Sequence, residues 1–285
     1  MQVKSGNLSL RKGWDKNEIE KTYLQFLRQI LGVNRSATRA MVRGELNQHS
    51  LQEEVLRRHM NYARYIQGKE DTSIVKQAYT YELNRSNEST SFFSTMRKHT
   101  AEIYELNNTF HPYADPYVNI YETTKLRSVT HEIFHREWKR KLEDSSKCDT
   151  YRLFKDKMKF EPYLLHPNRK ERVSMTRLRI SDHKLMIETE RHKTPIPPRE
   201  ERLCHMCNTK IEDEVHFLTE CKLYGSNNDF WQKVYQKFPQ TAHLSNRDKF
   251  VFLMTQEDQE IMQTLLTTVK EWHGFRTFLC NYFYD

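Results

Sequence analysis

Glycine is scarce: seven in 285 residues, about a third of ordinary usage. Tight-turned sheets and phosphate-cradling loops both consume glycine, the residue that takes positive φ freely, so the scarcity points to a mainly α fold. Neither G-x-x-x-x-G-K-[ST] nor G-x-S-x-G occurs, which leaves P-loop and nucleophile-elbow chemistry without support. No two aspartates are adjacent. No run approaches the roughly eighteen apolar residues of a membrane span, and the start MQVKSGNLSLRKGW lacks the apolar stretch of a signal peptide. The expectation is a nuclear or cytoplasmic chain with no membrane partner. Hydrophobic residues are also few, 37% against about 45–50%, with 29% charged and a mean hydropathy of −0.88. Thin, extended helical packing with a large hydrated surface follows, in one large domain or two ordinary ones.

What is abundant is positive charge. The formal net charge is +8 and the pI about 9.1, which favours a polyanionic partner. The excess is local. Residues 1–64 hold twelve Lys/Arg against six Asp/Glu, and residues 166–202 hold ten against six, while residues 222–285 balance seven against seven.

Apolar periodicity places Ile19, Tyr23, Phe26, Leu27, Ile30 and Leu31 on one stripe of a helix over 18–31, closed by Gly32. Similar patterns mark helices near 36–48, 50–67, 72–84 and 91–107, and a long one over 118–143 with Val129, Ile133, Trp138 and Leu142 inward. Short helices are expected over 150–160 and from 166–168 to Leu178 and Ile180, then others over 229–237, 246–256 and 258–283, the last turning Leu265, Leu266, Val269, Trp272 and Phe278 inward. Prolines at FHPYADPY, 110–117, and at TPIPPREE, 194–201, suggest boundaries. The expected division is a helical array over 1–110, a helical linker with a basic helix over 111–193, a metal module over 194–225 and C-terminal helices over 226–285.

The metal module rests on CHMCNTKIEDEVHFLTEC, residues 204–221. Cys204, Cys207, His216 and Cys221 give C-x2-C-x8-H-x4-C, in which a C-x2-C turn aims two thiolates at one ion and a returning His and Cys complete a tetrahedron. In a reducing compartment five cysteines do not suggest disulfides, so one structural Zn2+ is expected, with no open position for water. Cys148 and Cys280 stand alone as ordinary residues, and His205 is expected to face solvent. Tyr224 and Trp231 could stack on bases, but packing is the simpler expectation.

HEIFH, residues 131–135, matches H-E-x-x-H, where His131 and His135 could hold zinc with Glu132 as general base. Trp138 and Lys141 occupy the places of the metzincin Gly and third His, and thirteen histidines make a chance match unsurprising. The expectation is coincidence, and no enzyme.

The runs KCDTYRLFKDKMKFEPYLL and RVSMTRLRISDHKLMIETERHKTPIPPREERLCHMCNTKIEDEVHFLTECKLY resemble the tail that follows the polymerase of non-LTR retrotransposon reverse transcriptases. FLRQILGVNRS and RGELNQHSLQEEVLRRHMNYARYI are similar to the thumb-like helices of those proteins. The resemblance implies the same four zinc ligands and a basic helix around Arg177 and Arg179 that contacts RNA or DNA. Within the surrounding basic segment Arg172, Lys184, Arg191, Lys193 and Arg202 are further candidate contacts. It also implies a palm domain as partner if one is encoded upstream, and no polymerase activity here, since the paired aspartates are missing. The alternative readings are a zinc-stapled protein-interaction scaffold, a non-functional remnant and, remotely, an H-E-x-x-H zinc peptidase.

Overall fold

The fold is described from a computed structural model over residues 17–84, 123–224 and 229–283. Among these residues every regular element is helical apart from one isolated antiparallel bridge, Leu203 to Ile211. The helices are α1 (Glu18–Leu31), α2 (Arg39–Leu46), α3 (Leu51–Gln67), α4 (Ile74–Asn84), α5 (Thr123–Glu143), α6 (Arg169–Arg179), α7 (Met186–Thr189), α8 (Asp229–Lys237), α9 (Asn246–Met254) and α10 (Gln259–Phe283), with several single 3-10 turns between them. None is long and apolar enough to cross a membrane. The helix expected over 91–107, the boundary at 110–117 and the side chain of Val129 lie outside the described residues.

Two compact units emerge, each assembled from separate stretches of chain. The first takes residues 17–23, 49–84 and 123–140. Here α3 begins at Ser50, whose Oγ accepts from Gln52 N at 3.2 Å. Glu53 and Glu54 stand in its first turn, where negative charge complements the helix dipole. The buried carboxylate of Glu20 accepts from Leu51 N at 3.1 Å and fixes that end. Ile66, Tyr79, Ile133 and Trp138 are buried.

The second unit takes residues 24–48, 141–224 and 229–283, so the metal segment packs within it together with α6 to α10. Its centre is α6 along α10, with Met175 and Leu178 buried on the one and Ile261, Leu265, Leu266 and Val269 on the other. Each such side chain contributes roughly 1.5–3 kcal/mol relative to exposure. Asn168 caps α6, accepting from Lys170 N at 3.1 Å and Glu171 N at 3.4 Å. Gly32 closes α1 with φ +69°, and a Cβ there would stand 2.4 Å from Cγ2 of Val173 on α6.

Three expectations are corrected. The buried seam of α1 is Leu24, Leu27 and Leu31, while Ile19, Phe26 and Ile30 are 67%, 56% and 49% exposed: the apolar arc of this helix is wider than the surface that covers it. Residues 150–160 form only the 3-10 turn Tyr151–Leu153, because Lys155 turns inward to Glu161 and to Lys159 O instead of continuing a helix. Phe278 is 64% exposed, since over this stretch the inward side of α10 is taken by Arg276.

Candidate metal centre

The bridge between Leu203 and Ile211 brings the two ends of a small knuckle together. Cys204 N donates to Lys210 O at 2.8 Å, Asn208 N to Cys204 O at 2.7 Å, and Asn208 itself adopts φ 50°. That left-handed residue, tolerated by Asn, lets Cys204 and Cys207 face the same point. Asp213 then caps a short helical segment by accepting from His216 N at 2.9 Å, and a π turn over His216–Glu220 returns the chain at Cys221.

All four expected ligands meet. Cys204 Sγ lies 3.9 Å from Cys221 Sγ, Cys207 Sγ lies 3.4 Å from His216 Nε2, and the four ligand atoms are within 4.8 Å of one another. Zinc–sulfur bonds of about 2.3 Å set a tetrahedral S···S edge of about 3.8 Å, so the spacing suits Zn2+. The His216 ring turns Nδ1 toward Glu220 Oε2, 3.5 Å away, and Glu220 is held by Lys210 at 2.9 Å and Asn246 at 3.2 Å. A carboxylate behind a ligating imidazole fixes its tautomer and orientation. Thr209 Oγ1 donates to Cys207 Sγ at 3.1 Å.

With the metal-free ligands, the hydrogen bond to Cys221 and then burial push the Cys204 thiol up to about 12. Cys221 is drawn below the usual thiol value by that same bond. Burial opposes a charged His216, yet its bond to Cys204 and its closeness to Cys204 and Cys207 raise it to about 9.

Two carboxylates that sequence reading passed over fasten this centre to the rest of its unit. Glu212, fully buried, accepts from Arg276 Nε at 2.8 Å and Nη2 at 2.6 Å, from Met186 N at 2.8 Å and from Tyr224 OH at 3.3 Å. Its Oε1 stands 3.7 Å from Cys204 Sγ. Glu214 accepts from Ser181 at 2.5 Å and Thr150 at 2.8 Å and pairs with His183 at 2.9 Å. Burial opposes its charge, but His183 and Ser181 hold it at about 2. Only their position between His216 and the cysteines could have singled them out. Tyr224 and Trp231 are buried, as packing residues are, and His205 is half-buried where solvent exposure was expected.

The basic candidates separate by environment. Arg179 is a correction: it is 2% exposed, bonded to Glu45 at 2.8 Å, to Glu161 at 2.9 Å and to Met254 O at 2.6 Å, with Phe154 and Tyr163 rings against its guanidinium. Arg202 is a second: it is buried and donates to Pro197 O and Ile187 O. A buried charge needs such partners, and neither side chain can reach a phosphate in this fold. Arg172 donates to His166 O and Pro167 O. Arg191 pairs with Glu188 at 2.8 Å and bonds Ser146, and Lys193 pairs with Glu190 at 2.7 Å.

Lys184 and Arg177 instead line a cleft of about 720 Å³ within the second unit, together with Lys147, Arg169, Lys170, His192, Lys270 and Arg276 and the carboxylates of Asp182 and Glu188. Arg177 donates to Gly32 O at 2.9 Å, Lys147 pairs with Glu188 and Lys270 with Glu171. Arg169, Lys170 and Lys184 are exposed, and no carboxylate lies in ion-pair range of them among the described residues. Arg169 and Lys170 precede the stretch that drew attention to the basic helix, on its first turn. His273 also faces this cleft with its Nε2 buried and unbonded.

Of the H-E-x-x-H residues, Glu132 is exposed and bonded to Arg136 at 3.0 Å. The His131 and His135 rings stand 6.3 Å apart, nearly parallel, and His135 lies 5.4 Å from Trp138. No protein-family model, no curated protein and no solved structure matches this chain.

Proposed function

We propose that the chain is a zinc-stapled helical module that grips RNA or DNA by its phosphates, of the kind found in the tail of non-LTR retrotransposon reverse transcriptases, and that it has no polymerase activity of its own. Zn2+ held by Cys204, Cys207, His216 and Cys221 would supply folding free energy, and with four protein ligands it has a structural role. The observation that carries the reading is the cleft. Arg169, Lys170 and Lys184 open onto it, while its carboxylates are engaged elsewhere, Asp182 with Asn34 and Glu188 with Arg191, in the same unit that Glu212 and Arg276 tie to the metal knuckle.

Phosphate contacts of this type carry no base preference and weaken steeply with salt. Labelled single-stranded RNA and duplex DNA, titrated with the zinc-loaded chain across a salt series, test this. Arg169→Glu with Lys184→Glu is expected to weaken binding at least tenfold and to lower the salt slope by about two, with the helical circular dichroism unchanged. Equal affinity in the double variant, or no binding near physiological salt, would favour the scaffold reading.

A further inference from the structure

Outside the Cys-rich centre, the first unit brings three further ligand-type side chains together. His49 lies just before α3, Glu53 stands in the first turn of that helix, and His131 projects from α5. His49 Nδ1 is 3.0 Å from Glu53 Oε2, the His49 and His131 rings meet edge to face with centroids 4.8 Å apart, and one ligand atom from each of the three lies within 4.8 Å of the others.

We propose that His49, Glu53 and His131 form a second metal site, for a zinc-class divalent ion, and that this site is open where the first is closed. The donor chemistry supports it. Two imidazoles and one carboxylate are the set that holds zinc when the remaining position is left to water, and they suit first-row divalent ions of that class better than calcium or magnesium. The tetrahedral edge for such N and O ligands is about 3.3 Å, so the His49–Glu53 pair, at 3.0 Å, already has the required spacing, and the His131 nitrogen, within 4.8 Å of both, has at most about 1.5 Å to draw in. His131 is exposed and can make that adjustment.

The other two are held in place. Glu20, buried, fixes the backbone at Leu51, and Ser50 caps the same turn between His49 and Glu53. Ligands supported in this way start near the geometry that the ion needs.

This assignment divides the H-E-x-x-H motif differently from a peptidase. His131 serves with His49 and Glu53, residues far from it in sequence, whereas Glu132 points to Arg136 at 3.0 Å and His135 lies against Trp138. Glu132 is therefore not a general base for an ion at this site.

Zinc content, counted in the purified full chain after equilibration with a slight excess of Zn2+ and removal of free ion, decides the matter. Two equivalents are expected, one of them surrendered to a mild chelator while the Cys3His ion stays. His49→Ala and His131→Ala should each retain one equivalent, and Glu132→Gln should retain two. Cobalt adds a readout that is independent of folding defects. The first Co2+ should bring the strong thiolate charge-transfer absorption and the second only weak visible bands, which vanish in His131→Asn. One equivalent in the wild type, or a second equivalent that persists in both alanine variants, overturns the assignment.

Discussion

At the scale of single residues, Arg179 shows how far composition misleads. On sequence it belongs to a basic helix, yet its guanidinium is the centre of a buried network with Glu45 and Glu161. Arg179→Met is expected to cost about 3–5 kcal/mol, because it leaves buried carboxylates uncompensated. Urea denaturation would measure this, and Arg179→Met with Glu45→Gln should recover part of the loss. Sequence could not show it, since Glu45, its fully buried partner, lies 134 residues away in the chain. Cys204, Cys207, His216 and Cys221 were legible for the opposite reason: all four ligands fall within one short stretch, and local turns alone bring them together.

His273 gives a second expectation at this scale. Burial, followed by the neighbouring His183 and the guanidiniums of Arg276 and Arg177, holds its folded value at about 3 against 6.5 for the free side chain. A depressed value means that the unfolded chain takes up a proton as pH falls below 6.5, while the folded chain refuses it until about 3. Stability from this group is therefore complete above 6.5 and declines across that window. His273→Gln should lie closer to wild type in stability at pH 5 than at pH 7, read as the difference between the two denaturation curves. A constant difference would contradict the linkage.

At the scale of elements, the helices were largely legible and their facing was not. Over 18–31 the expected and observed bounds agree, since Gly32 stops the helix chemically. The buried side of α1 was misplaced, because six apolar residues span a wider arc than Leu24, Leu27 and Leu31 need. The close approach of Gly32 to Val173 sets the third expectation. Gly32→Ala should destabilise by about 2–3 kcal/mol through left-handed strain and overpacking. Adding Val173→Ala should relieve the steric part and leave the backbone part, so thermal melting of the two variants separates them. No rescue by Val173→Ala would mean that the contact is not the constraint.

At the scale of the whole molecule, the two units are each built from separated stretches of chain, and proline positions alone could not reveal that arrangement. Position 194, where a boundary was expected, lies inside the second unit. This changes what chelation should do. On the proposed zinc reading, chelation should expose residues 200–224 to protease first, and hydrogen exchange should also rise in the part of α10 around Arg276, whose two bonds to Glu212 depend on the knuckle. Retained protection of both segments after chelation would show that the knuckle folds without its ion.

The Glu212–Arg276 pair has a further consequence. It joins the metal knuckle to a side chain that lines the basic cleft, so on the proposed reading the two occupants share one mass-action balance. An anion that selects the intact cleft raises apparent zinc affinity, and free zinc raises apparent anion affinity by the same factor. Scarcity of the metal would then loosen the grip in proportion to occupancy, well before the chain as a whole came apart.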